Sequence, residues 1–188
     1  MCGRYYAETP YEPLDNALRE LAYRNVVPKC GEVSPGDLAA VIASNRRLEP
    51  TPFGMKWGYR LSNGKLVFNT RSESASQKPM FADGINQRRC LIPANYYFEW
   101  QRNSLGKTKY AISPKATKGI LLAGIYRIEN QQPVFSILTR EPHESIAFIH
   151  DRMPVILPEA AMKDWLNPKY RGEEILHLAI DEMQYVIC

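Results

Sequence analysis

Fourteen prolines are spread along this 188-residue chain, and they limit its fold more than any other feature. Each proline fixes φ at about −65° and removes a backbone donor, so long helices and sheet interiors are interrupted wherever one falls. Between the prolines the apolar residues come in short runs. These are closed by turn sequences such as Ser34-Pro35-Gly36, Ser62-Asn63-Gly64 and Glu129-Asn130-Gln131. A helical bundle cannot be drawn through this pattern. Short strands are expected at 38–43, 53–60, 66–69, 89–92, 96–101, 109–112, 120–128 and 134–139, with 155–157 strand-like and a last strand at 185–186. Leu14, Leu18 and Leu21 recur at helical spacing after Pro10 and Pro13, which predicts an amphipathic helix ending near Tyr23. A helical turn is expected at 145–149, a helix over 158–166 opened by Pro158, and another over 172–178. No repeat, low-complexity tract or linker divides the chain. The expectation is one α+β domain over 1–188, a mainly antiparallel, barrel-like sheet with peripheral helices.

Composition bounds the function. Hydrophobic residues make up 45% and charged residues 23%, values typical of soluble globular chains. No apolar run approaches the ~20 residues of a membrane span, and the polar start does not read as a secretory signal. Cys2, Cys30, Cys90 and Cys188 form no C-x-x-C pair. That argues against a zinc site or a disulfide framework and suits a reducing cytoplasm. The net charge of +4 is compatible with a nucleic-acid partner without identifying one.

Chemistry concentrates at the chain start. Cys2 follows Met1 directly, and so small a side chain permits removal of Met1. A terminal cysteine carries an amine titrating near ~8 beside a thiol titrating near ~8.5, so both are partly nucleophilic at neutral pH. Together they can condense with an aldehyde, first to a Schiff base and then to a five-membered thiazolidine. Read alone, Cys2 is also what a small buried hydrophobe looks like.

Glu99 lies in the aromatic stretch Tyr96-Tyr97-Phe98-Glu99-Trp100. Strand alternation puts it on the face of Tyr97, where apolar rings would raise its proton affinity; a surface glutamate at a strand end is the alternative. His150 can exchange protons in the working pH range, or simply pack beside Asp151. Asn69 and Arg71 share a strand face, suited to a sugar hydroxyl or amine and to a phosphate respectively, or to a turn and to solvent. Arg4 is two residues from Cys2. Arg152 is either a phosphate ligand or a structural partner of Asp151 or Glu73. Trp57 and Trp100 offer faces for base stacking, while Trp165 reads as packing.

These residues fall within an ordered set of segments: Met1-Cys2-Gly3-Arg4-Tyr5, Trp57-Gly58-Tyr59, Asn69-Thr70-Arg71-Ser72-Glu73, Arg89-Cys90-Leu91-Ile92-Pro93-Ala94, Tyr97-Phe98-Glu99-Trp100 and Ile149-His150-Asp151-Arg152-Met153-Pro154-Val155. In that set the chain resembles the SOS-response-associated peptidase (SRAP) family of abasic-site processing proteins. The resemblance spans residues 1 to about 166 and implies the same fold. It implies that Cys2, freed of Met1, crosslinks to abasic sites in single-stranded DNA. Glu99 would assist Met1 removal and shuttle protons, His150 would be catalytic, Asn69 would line the site, and Arg71 would grip the DNA backbone. Arg4, Trp57, Trp100 and Arg152 complete the expected DNA contacts. No metal or organic cofactor and no membrane are implied, and a monomer is expected.

Two departures stand out. Glu32-Val33-Ser34-Pro35 has an acidic residue where the family has an amide in an Asn-Val-Ala-Pro-like segment, and Cys188 ends the chain earlier than in many relatives. Both are expected to alter DNA contact. Two further readings remain open: an N-terminal-nucleophile amidohydrolase with a separate amide substrate, and a non-enzymatic reader of single-stranded or modified DNA.

Overall fold

The computed structural model describes residues 2–104, 106–115 and 117–188. The chain opens with β1 (Arg4–Ala7), α1 (Glu12–Tyr23), β2 (Gly31–Val33), β3 (Leu38–Ser44) and β4 (Pro50–Trp57). Three short strands follow, β5 (Tyr59–Arg60), β6 (Leu66–Val67) and β7 (Asn69–Arg71), then α2 (Pro79–Gln87). The long strands are β8 (Arg89–Ala94), β9 (Tyr96–Asn103), β10 (Gly106–Pro114), β11 (Ile120–Glu129) and β12 (Gln132–Arg140). Then come β13 (Met153–Pro154), β14 (Ile156–Leu157), α3 (Met162–Leu166), α4 (Gly172–Leu176) and β15 (Met183–Ile187).

Strands β12, β4, β3, β8 and β11 close on themselves as a barrel, antiparallel at every seam except the parallel pairing of β12 with β4. A second, antiparallel sheet runs in the order β15-β10-β9-β1-β2. Along the barrel strands successive residues alternate between two buried clusters, as a period of two requires. Ile92 and Leu122 join Leu14, Leu21, Tyr5 and Tyr97, tying the barrel to α1 and the second sheet. Leu91, Leu121 and Ala123 join Ile85 and Trp165 beneath the later helices.

Helix α1 spans Glu12–Tyr23 with proline in its first turn, as the leucine spacing predicts, and buries Leu14, Ala17 and Leu21. The expected strand over 53–60 is broken at Gly58. That residue adopts φ +114°, where an added Cβ would fall 3.2 Å from the Cβ of Leu66, and its N–H donates to Phe135 O at 2.7 Å. The break lets β4 stay in the barrel while β5 leaves to pair with β6.

Helix α2 was not anticipated. Its nine residues include Gly84, a poor helix former, yet Gly84 is where the helix meets the barrel, and a Cβ there would come 3.0 Å from Ile125. Strands β1 and β2, too short to show alternation, were also missed. The segment 145–149, expected as a helical turn, is a run of turns, and the start of the expected 158–166 helix is a 3₁₀ turn at Glu159–Ala161. Among the described residues no helix is long and apolar enough to cross a membrane.

Trp57 corrects an expectation. It is fully buried, its indole N–H donates to Phe68 O at 2.8 Å, and its ring packs against Tyr5 and Phe135. Alternation along β4 turns it into the core, so it offers no face to a base.

Candidate active site

Strand β1 begins two residues after Cys2 and pairs with β9, Arg4 facing Phe98 and Tyr5 facing Tyr97. This register puts Tyr5, Tyr97 and Glu99 on the buried side of the sheet, and Cys2, in the segment before β1, leaves the strand's alternation and is buried as well. Cys2, Tyr97 and Glu99 are shielded, at 0%, 0% and 3% exposure. The Cys2 thiol donates to Arg4 O at 3.7 Å. From the barrel side, β7 pairs in parallel with β12 and delivers Asn69, whose Nδ2 donates to Cys2 O at 2.8 Å. Sequence positions 2, 69 and 99 thus meet where the second sheet crosses the barrel.

Burial raises the Cys2 thiol well above its ordinary range, and the nearby charge of Glu99 adds to the effect. Cys2 is therefore held as a neutral thiol until a base takes its proton. Burial also raises Glu99, while His150 pulls in the opposite direction. A carboxylate with raised proton affinity is a better base than a solvated one, and in its protonated form it can return that proton. Glu99 thus stands electrostatically between the two, acting on the thiol and acted on by the imidazole.

His150 follows a run of turns in which Ile149 N–H donates to Ile146 O at 2.9 Å. Its Nδ1 lies 2.7 Å from Asp151 Oδ1 and 3.1 Å from Arg152 N. A protonated Nδ1 donates to the carboxylate; a bare Nδ1 accepts from the amide. Both protonation states thus have a partner in place, which suits a group that passes a proton back and forth.

Asn69 Oδ1 and the Tyr97 hydroxyl are buried without a hydrogen-bond partner among the described residues. An unmet buried polar group costs about 1–3 kcal/mol, so both stand ready for polar groups of a ligand. Alternation placed Tyr97 beside Glu99, but nothing in the sequence showed that its hydroxyl would lack a partner.

The expected phosphate contacts divide. Arg71 at the end of β7 is exposed, and Trp100 is half-buried on the outer face of β9. Arg4 is also on that face, where its Nη1 donates to Glu32 Oε1 at 2.5 Å. Arg152 is a correction: its side chain is 9% exposed, and its guanidinium donates to both oxygens of Glu73, at 2.8 and 2.9 Å, and to Thr139 O at 2.6 Å. It clamps the chain after His150 to the 3₁₀ turn after β7 and presents no surface to a phosphate. Lys109, which the sequence did not single out, donates to Glu32 Oε2 at 2.8 Å. Only the β9–β10 register, Lys109 opposite Trp100, brings it there. Among the described residues no three His, Cys, Asp or Glu side chains converge as a metal-ligand set.

A sequence model of the SOS response associated peptidase (SRAP) family matches residues 1–185. The abasic site processing protein YoaM of Bacillus subtilis is 33% identical over 193 residues, covering 94% of this chain and 83% of that protein. The abasic site processing protein YedK of Escherichia coli is 25% identical over 95% of this chain and 85% of its own. A crystal structure of a protein from Bacteroides thetaiotaomicron superposes with a TM-score of 0.79 at 24% identity, covering 99% of this chain and 91% of that one. It shares the fold.

Proposed function

Because this chain belongs to the SOS response associated peptidase (SRAP) family, we propose that it processes abasic sites in DNA, with Cys2 as the group that bonds the lesion. The observation that supports this most is the convergence on Cys2: Asn69 holds its carbonyl, and Glu99 lies close enough to shift its thiol. The curated relatives named above are abasic site processing proteins, and the site residues of this chain suit that chemistry.

Hydrolysis of the Met1–Cys2 peptide bond frees the α-amine of Cys2, with Glu99 as the base for the attacking water. An abasic sugar opens from hemiacetal to aldehyde, and His150 transfers the ring proton. The α-amine adds to the aldehyde carbon and water departs, leaving an imine. The Cys2 sulfur then adds to the imine carbon while its proton passes through Glu99 to the nitrogen. The ring that forms is a thiazolidine; the hydrolysis consumes one water and releases methionine, imine formation returns one water, and there is no net oxidation or reduction. Closing the aldehyde removes the electron sink that β-elimination needs, so the strand is protected. Asn69 orients the new N-terminus, and its free Oδ1 with the Tyr97 hydroxyl provides partners for the sugar hydroxyls. Arg71 and Arg4 hold flanking phosphates of a single strand, and Trp100 offers a ring to a base. The protein acts as a cytoplasmic monomer at the DNA.

A denaturing gel tests this. Protein lacking Met1 is mixed with a single-stranded oligonucleotide carrying one abasic site. We expect a heat-stable shifted band that disappears with Cys2→Ala and with an undamaged oligonucleotide. A band that survives Cys2→Ala, or no band at all, overturns the reading. Turnover of an amide substrate with burst kinetics would instead favour an amidohydrolase.

A further inference from the structure

On the outer face of the second sheet Arg4 belongs to a charge arrangement whose other members, Glu32 and Lys109, have no part in the chemistry at Cys2. Arg4 pairs with Phe98, Tyr6 with both Glu32 and Tyr96, and Lys109 with Trp100, so all of these side chains project from one face. Glu32 sits between two cations, one oxygen 2.5 Å from Arg4 Nη1 and the other 2.8 Å from Lys109 Nζ. The three side chains are 34%, 42% and 27% exposed, so solvent reaches the cluster. The Lys109 ammonium also lies 3.7 Å from the centroid of Phe98.

Around this cluster the rings form a row. Tyr6 and Tyr96 stack at 5.1 Å with planes 2° apart, Tyr96 meets Phe98 edge-on at 5.3 Å, and Phe98 leads to Trp100 at 6.5 Å. Phe98 is buried beneath the Lys109 ammonium, while Tyr6, Tyr96 and Trp100 are half-buried. Two fixed cations beside such half-open rings form the arrangement with which single-strand binders hold a phosphate and stack its bases, each stack contributing about 1–3 kcal/mol. A carboxylate and a phosphodiester carry the same charge and offer a cation pair similar oxygens. An exposed ion pair stabilises by only about 0–1 kcal/mol, so the carboxylate can be displaced.

We propose that Arg4 and Lys109 form a site for a backbone phosphate of the bound single strand, and that Glu32 occupies this site in the free protein and competes with the strand. The site begins two residues from Cys2, so a strand held there runs past the reacting sugar. Glu32 thereby lowers affinity for undamaged single strands and leaves retention at a lesion to the covalent step. The proposal deepens the abasic-site reading and rests on it for the nature of the strand.

The test uses the full chain and a fluorescently labelled, undamaged single-stranded oligonucleotide, with affinity read by anisotropy across a salt series. Glu32→Gln keeps the side-chain size and removes the charge. It is expected to tighten binding about tenfold at low salt and to steepen the log–log salt slope by about 0.7 for each phosphate newly neutralised. Adding Lys109→Gln to Glu32→Gln should reverse most of that gain. Lys109→Gln alone should weaken binding and flatten the slope. Affinity and slope left unchanged or weakened by Glu32→Gln would overturn the proposal. So would a gain that Lys109→Gln leaves intact, or Lys109→Gln alone without effect; thermal melting establishes that each variant is folded. The assay involves no lesion and no covalent bond. A missing crosslink therefore counts against the reaction at Cys2, and an unresponsive Glu32 counts against this site alone.

Discussion

Two arginines that look alike in the sequence differ once their surroundings are known. Arg71 is exposed at the end of β7, whereas Arg152 is turned inward onto Glu73 and Thr139. Arg71→Gln should reduce the log–log salt slope of single-strand binding by about 0.7 with no change in melting temperature. Arg152→Gln should leave the slope alone and destabilise the fold by about 2 kcal/mol, because Glu73 and the Thr139 carbonyl both lose the guanidinium that joins them. Salt titration and urea denaturation of both variants check the contrast, and exchanged outcomes would reverse the assignment. The chemical candidates Cys2, Asn69, Glu99 and His150 came into view through the ordered family segments, since each read alone also fits a buried or surface residue. Which arginine faces solvent was not legible. That depends on the partners that folding supplies, and Glu73 lies 79 residues before Arg152 in the chain. Trp57 was misread for the same reason: a tryptophan looks identical in sequence whether its ring meets Phe135 or a base.

Elements are joined at one residue in particular. Arg89 opens β8 and is 3% exposed. Its guanidinium donates to Ile85 O at 2.8 Å and Asn86 O at 3.2 Å, at the end of α2. It also donates to Trp165 O at 2.5 Å, Asn167 O at 2.6 Å and Tyr170 O at 2.9 Å, on and after α3. The carbonyls at a helix C-terminus have no partner within the helix, and here one cation satisfies two helices at once. Arg89→Met fills similar volume but leaves these carbonyls unmet, and should lower stability by about 3 kcal/mol. A lower urea midpoint with an unchanged m-value is the expected result; an unchanged midpoint would show that water replaces the guanidinium. The strands 38–43, 89–92 and 120–128 were legible from their apolar runs, and α1 from its leucines. Helix α2 was not, because its propensity is poor and its stability comes from packing Phe81, Gly84 and Ile85 onto the barrel.

Across the whole molecule, the site exists because two sheets are docked. Neither the barrel nor the second sheet carries all of its groups: β7 brings Asn69 along the barrel, β9 brings Glu99, and the segment before β1 lays Cys2 between them. Turn residues and short strands are enough to indicate a barrel-like α+β domain. They do not specify the parallel pairings of β12 with β4 and β7, because those contacts join segments separated by a large part of the chain. The central claim is that the terminal amine and thiol of Cys2 both bond the abasic carbon. The most direct test omits any reductant: the protein is incubated with an abasic single strand, the product is digested with nuclease and protease, and the linkage is located by tandem mass spectrometry. The account predicts a sugar remnant bonded through both nitrogen and sulfur of Cys2, on a chain that has lost Met1. An adduct on a lysine, one seen only after borohydride trapping, or none on protein shown to lack Met1 would contradict it.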